Sequence, residues 1–210
     1  MTDQNAQVLK QDLLDCVDQM GCAVQAFPWE NRSAYGHWLA QTYYFVRHTT
    51  SFLGLTASRF GHWQRERQYH QIHHLAGESG HDQLLVNDLK KLDMEFQDFP
   101  ELPETSALYQ SQYYFIDHEH PAAHFAYAYV LEGLAAKKIQ LIYPRLTASY
   151  PPEACRFLHV HMIEDQDHFE DGLEVLSDLT ETEAGSFLRN LRQTSYFYIG
   201  MLEHVRRITN

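Results

Sequence analysis

The sequence predicts an all-α fold, and three observations carry that reading. Apolar residues recur at i, i+3, i+4 and i+7 through most of the chain, and no stretch shows the alternation of a half-buried strand. The periodic segments are bounded by proline and capping residues. With 210 residues, 44% of them hydrophobic, one domain over 1–210 has enough apolar content for a sizeable core. It reads as a bundle of seven or eight helices with no internal repeat and no long linker.

Residues 6–20 place Val8, Leu9, Leu13, Leu14, Val17 and Met20 at helical spacing, an amphipathic opening helix whose task is packing. After Phe27-Pro28-Trp29, an aromatic-rich segment from Ser33 to Ser58 has helical length and no internal proline, and carries Arg47 and His48. A helical pattern over residues 63–76 holds His70, His73 and His74. Another runs through Leu84, Leu85, Leu89 and Leu92 to Met94. Pro100 and Pro103 interrupt the pattern, and a shorter helix from Ser106 to Ile116 follows. Pro121 opens a segment that Pro144 closes. At its entry the cluster His118-Glu119-His120-Pro121 with His124 reads as a solvated cap. Pro151 and Pro152 start the next helix, which runs to about Asp178 with Gly172 as a point of low helix propensity. Thr180-Glu181-Thr182-Glu183 has the form of a capping box, and Phe187, Leu188, Leu191, Tyr196, Ile199, Leu202 and Val205 support a closing helix.

Composition narrows the function. The balance of 16 Lys and Arg against 28 Asp and Glu gives a formal charge of −12, which repels phosphate backbones and anionic lipid surfaces, so nucleic acid is not an expected partner. The segment Met1 to Gln7 has no basic or apolar signal feature, and no stretch offers about 18 uninterrupted apolar residues. A cytoplasmic protein without a membrane partner is expected. Cys16, Cys22 and Cys155 are odd in number and make no Cys-x-x-Cys pair, so neither a disulfide framework nor a thiolate zinc site is indicated.

The chemistry-bearing residues fall on three segments. His161, Asp165 and His168, at i, i+4 and i+7, share one helix face within roughly 60°, and two imidazoles with a carboxylate suit iron, manganese or zinc better than calcium. Glu78 and His81, at i and i+3 near the start of a helix, face the same way. This is the Glu-x-x-His arrangement of di-metal carboxylate bundles. His74, one turn earlier, is an alternative ligand or an outer partner. Glu132 stands in the middle of an apolar face, where an ionised carboxylate is costly unless paired or metal-bound. Three carboxylates and three imidazoles supply three ligands to each of two metals. Hard carboxylates and neutral imidazoles are what an oxygen-activating di-iron site needs.

Glu78-x-x-His81, Glu132 within Tyr129-Val130-Leu131-Glu132-Gly133, and His161-x-x-x-Asp165-x-x-His168 are specific in their joint order and spacing. On these residues the chain resembles the heme-oxygenase-like di-iron oxidases and oxygenases. They are a branch of the fold shared with heme oxygenase, the thiaminase-like TenA proteins and the quinone-cofactor synthase PqqC. The resemblance extends from the helix carrying Tyr43-Tyr44-Phe45-Val46-Arg47-His48 to the last helix. It implies a heme-oxygenase-like bundle and metal ligation by Glu78, His81, Glu132, His161, Asp165 and His168. It further implies two ferrous ions, with manganese as the alternative at one position, dioxygen and a small organic substrate (an amino acid, an amine or a fatty-acid-like molecule), and a homodimer. Some relatives consume their own side chains, a role for which Tyr43 and Tyr44 are the candidates here. Arg47 and Arg145 are candidate anchors for a substrate carboxylate and otherwise surface ion-pair residues. Three rival readings stand beside this one. A TenA-like thiamin or aminopyrimidine hydrolase requires an activated cysteine, for which Cys155 is the candidate near the site. A heme protein would draw on His48, and the third rival is a non-catalytic metal-binding bundle.

Overall fold

The computed structural model describes residues 3–210, with all of their side chains except those of Asp3, Gln4, Asn5, Gln166, Asp167 and Asp171. The described residues form α-helices joined by short turns and contain no strand: α1 (Asp3–Ala26), α2 (Arg32–Val46), α3 (Thr49–Arg59), α4 (Arg65–Glu78), α5 (His81–Lys91), α6 (Pro103–Tyr114), α7 (His124–Ser149), α8 (Arg156–Val175) and α9 (Glu181–Thr209). Helix α7 is the central element, packed against α1, α8 and α9, while α3 lies on α4, α2 on α5 and α6 on α9. No described helix is long and apolar enough to cross a membrane.

The single helix expected over 33–58 is two, α2 and α3, broken at Arg47 and His48. The break has no glycine or proline behind it. His48 turns inward, its ring stacked on Tyr109 at 4.2 Å and its Nδ1 2.9 Å from the Tyr113 hydroxyl, so a tertiary contact overrides local propensity. Glu78 and His81 likewise do not share a helix. Glu78 ends α4 and His81 begins α5, and between them Gly80 sits at φ 95°, a left-handed conformation that glycine adopts without steric cost. Pro144 does not end α7, which continues to Ser149 because Ile142 and Leu146 on either side of it are buried. The closing helix starts with a capping box: the Thr180 amide donates to Glu183 Oε2 at 2.7 Å and the Glu183 amide to Thr180 Oγ1 at 3.3 Å.

Helix α8 is fixed at its start and along its length. At its N-terminus the Phe157 amide donates at 2.9 Å to Oδ2 of Asp88, a fully buried carboxyl on α5, so the two helices that carry His81 and His161 are tied together. Above this cap, Tyr35 stacks on Tyr150 at 4.8 Å, and the Tyr35 hydroxyl donates to the Ala154 carbonyl at 2.9 Å. Along the α7–α8 contact the two helices interlock through reciprocal glycines. A Cβ on Gly133 of α7 would fall 2.5 Å from the Phe169 ring of α8, and one on Gly172 of α8 would fall 2.6 Å from the Tyr129 ring of α7. Gly172 is therefore a seat for Tyr129 rather than a weak point, and the helix runs through it without a break.

Either Gly133→Ala or Gly172→Ala forces a rigid ring out of its seat, so each is expected to destabilise the protein by about 1–3 kcal/mol. Urea unfolding measures this, and a variant as stable as wild type contradicts the account of the contact.

Candidate metal centre

The break at Gly80, the glycine interlock of α7 with α8 and the Asp88 cap bring ligand-type side chains from four helices to one place. Two groups of three donors each lie within 4.8 Å of one another, and both contain Glu78: His74, Glu78 and His168 in one, Glu78, His81 and His161 in the other. Glu78 Oε1 is 3.6 Å from His74 Nε2, and Glu78 Oε2 is 3.2 Å from His81 Nδ1. One carboxylate thus turns one oxygen to each group, the disposition of a bridging ligand. Glu132 reaches the first group, with its Oε1 3.3 Å from His74 Nε2. Asp165, 3% exposed, lies beside His168 at 3.8 Å. The rings pair accordingly, His74 with His168 at 5.2 Å and His81 with His161 at 4.9 Å.

His161 Nδ1 is 2.9 Å from the Phe157 carbonyl. A carbonyl only accepts, so Nδ1 carries the proton, and burial lowers the pKa of the ring, which leaves Nε2 as a lone-pair donor. Burial, together with the charges of Glu132 and Glu78, pushes the Asp165 carboxyl well above its usual range. Burial also works to raise Glu78, but contacts with His74 and His81 hold it far below the ordinary carboxylate range. His81 is raised, chiefly by Glu78. For His74, desolvation is outweighed by Glu78 and Glu132, and its pKa is raised as well. Concentrated negative charge of this kind invites cations, whether protons on imidazole or metal ions.

Two of these neighbours are more than the spacing suggested. His74 is a full member of one donor group. Glu164, half-exposed and one helical turn from His161, sits 3.6 Å from His81 Nε2; its i+3 spacing from His161 was the available signal. Other candidates lie elsewhere. The Tyr44 hydroxyl donates to the carbonyls of Phe96 and Phe99, at 3.3 and 3.1 Å, and Tyr43 packs on Phe96. Arg145 holds Glu30 with both Nε and Nη2, and Arg47 faces Glu101 at 3.9 Å. The expected solvated cap at 118–124 holds only in part. His120 accepts from the Ala122 amide at 3.1 Å, but His124 is 1% exposed, because the turn at 121–123 leads α7 into the interior.

A mostly apolar cavity opens beside the centre, with Glu78, Glu132, His161 and Asp165 in its wall. Trp38 and Phe45 of α2 line it, as do residues of α7 from His124 to Ile142, about 27 Å apart along the helix. Neither Tyr43, Tyr44 nor any cysteine belongs to that wall. Cys155 is fully buried beside Tyr35, and burial pushes its thiol upward.

The folded protein holds the His81 proton more tightly than the unfolded chain does. That stabilisation is complete below about 6.5 and fades as pH rises through the higher folded pKa. In metal-free protein the stability gap between wild type and His81→Gln is therefore largest at acidic pH and narrows above about pH 6.5. Denaturant unfolding at a series of pH values reads this, and a gap unchanged across the series contradicts it.

The sequence profile of a family described as iron-containing redox enzymes matches residues 36–197. No curated protein sequence matches the chain. In three dimensions the chain is similar to a domain of unknown function with a heme oxygenase-like fold from Shewanella denitrificans, at 17% identity over 99% of this chain and 94% of that one, with a TM-score of 0.83. It is also similar to a TenA homolog from Pseudomonas syringae pv. tomato (13% identity, 94% and 92% covered, TM-score 0.81) and to one from Pyrococcus furiosus (12%, 94% and 99%, 0.74). These likenesses establish a heme-oxygenase-like fold. With the profile spanning most of its length, the chain belongs to the family of iron-containing redox enzymes.

Proposed function

We propose that the protein is a non-heme di-iron oxidase or oxygenase that uses dioxygen to oxidise a small organic molecule bound in the cavity beside the centre. The observation that carries the proposal is Glu78, one carboxylate shared by two imidazole-bearing donor groups. In this reading His74, Glu78 and His168, with Glu132 and Asp165 beside them, would hold one ion, and Glu78, His81 and His161 would hold the other. Manganese is the alternative at one position. Bound ferrous ions would supply the electrons that reduce dioxygen. The chain supplies the rest. Nε2 of His161 would be free to bind a metal, because the Phe157 carbonyl fixes the ring proton on Nδ1. The carboxyls of Glu132 and Asp165, both buried, offset the positive charge of the ions. The apolar cavity wall keeps bulk water from the reacting position and favours a substrate with a substantial apolar part, such as a fatty-acid-like molecule or a hydrophobic amino acid or amine. Tyr43 and Tyr44 have no part in this assignment. A homodimer in the cytoplasm completes the proposal.

A TenA-like hydrolase is the second reading, favoured by the shared fold. It needs a thiolate facing the substrate, and the cavity wall offers no cysteine, while burial pushes the pKa of the Cys155 thiol upward.

Anaerobic loading with ferrous iron is expected to give two ions per chain, and oxygen uptake should follow on adding amino acids, amines or fatty acids from a panel. Glu78→Ala removes a ligand from both ions, so both should be lost or strongly weakened, whereas His161→Ala should weaken one. Undiminished iron in Glu78→Ala, or oxygen uptake independent of iron, would defeat the proposal.

A further inference from the structure

His124 and Thr42 are polar side chains that the metal-centre reading does not use, and both stand in the wall of the same cavity. His124 opens α7 and is 1% exposed; Thr42, on α2, is 2% exposed. Neither ring nitrogen of His124 and not the Thr42 hydroxyl has a hydrogen-bond partner among the described residues. Phe52 and Tyr127 flank the imidazole, each with its ring centroid 5.6 Å away, and offer its nitrogens no hydrogen bond. The Thr42 neighbours one turn to either side, Trp38 and Val46, line the cavity as well. Leaving such groups buried without partners costs free energy that a leucine or valine of similar size would not incur. A cavity whose purpose was only to hold an aliphatic chain has no need of them.

We infer that His124 and Thr42 are two hydrogen-bonding points of the cavity wall, each able to meet a neutral hydroxyl or amide group carried by a mainly aliphatic ligand. The inference rests on reading the cavity as a substrate site. A neutral imidazole and a hydroxyl each offer one donor and accepting lone pairs, which matches a group that both donates and accepts. A charged group there would lose its hydration among apolar walls. Sites built to bond a ligand hydroxyl discriminate sharply against the analogue that lacks it, because their own buried groups are then stranded. His124 and Thr42 are thus specificity determinants that position the ligand in the cavity beside the candidate metal centre.

The test uses 1-nonanol and methyl octyl ether, which have the same number of heavy atoms and differ in the hydroxyl proton. The full chain, as purified and after treatment with a chelator, is titrated with each, and the change in emission of Trp29 and Trp38 in the cavity wall reports occupancy. Wild type is expected to prefer the alcohol by roughly tenfold. His124→Phe or Thr42→Val, whichever removes the group that the hydroxyl meets, should cut that preference several-fold without weakening the ether, and the double variant should abolish it. Where His124→Phe does not fold, His124→Leu takes its place; Thr42→Val is nearly isosteric. Equal affinity of the two probes for wild type, binding of neither, or a preference that survives in both variants overturns the inference. Because the chelated protein is tested too, a failure of the iron assignment shows in iron stoichiometry and leaves this result to be read separately.

Discussion

Three carboxyl groups, Glu78, Glu132 and Asp165, converge in the interior of the bundle, with Glu132 7% and Asp165 3% exposed, and the cost of gathering them constrains the structure around them. Buried carboxylates persist only with compensating positive charge and hydrogen bonds. Imidazoles provide it: His74 and His81 face Glu78 from either side, His74 also reaches Glu132, and His168 lies beside Asp165. Imidazole is the group that exchanges a proton for a metal near neutral pH. A lysine or arginine would satisfy the carboxylates permanently and close the site to cations.

The surrounding architecture holds this arrangement with apolar contacts and backbone geometry. Gly80 turns the chain so that Glu78 and His81 approach from two helices at different angles. The Phe169–Gly133 and Tyr129–Gly172 contacts bring α7 and α8 close enough for Glu132 to lie by the residues of α8. Asp88 caps α8 from α5, linking the backbones that carry His81 and His161. The candidate ligand side chains are thus carried by packed helices, which is what a preorganised metal site would require. The cavity beside them is lined by residues of α2 and α7.

The all-α class was legible because helical periodicity is a local property, and His161, Asp165 and His168 were legible on α8 for the same reason: their face follows from spacing alone. The pair Glu78 and His81 was visible as a motif, but its setting was not, since glycine at 80 signals a break without saying how the two halves are angled. His74 and Glu164 join the centre through contacts between helices, which spacing within one helix does not report. His124 was read as part of a solvated cap because its cluster lies at a helix entry, where exposed polar residues are normal. Its burial depends on how the turn at 121–123 meets α3, a tertiary fact. Pro144 and Gly172 were taken at their intrinsic propensities, and in both places packing decided otherwise.

The central claim is that Glu78 is shared between two metal positions. Crystals grown without oxygen and loaded with ferrous iron, measured at the iron absorption edge, test it directly. Two anomalous peaks are predicted, one by His74 and His168 and the other by His81 and His161, with the Glu78 carboxylate between them. A single peak at full iron loading, or peaks not in contact with Glu78, would contradict the account.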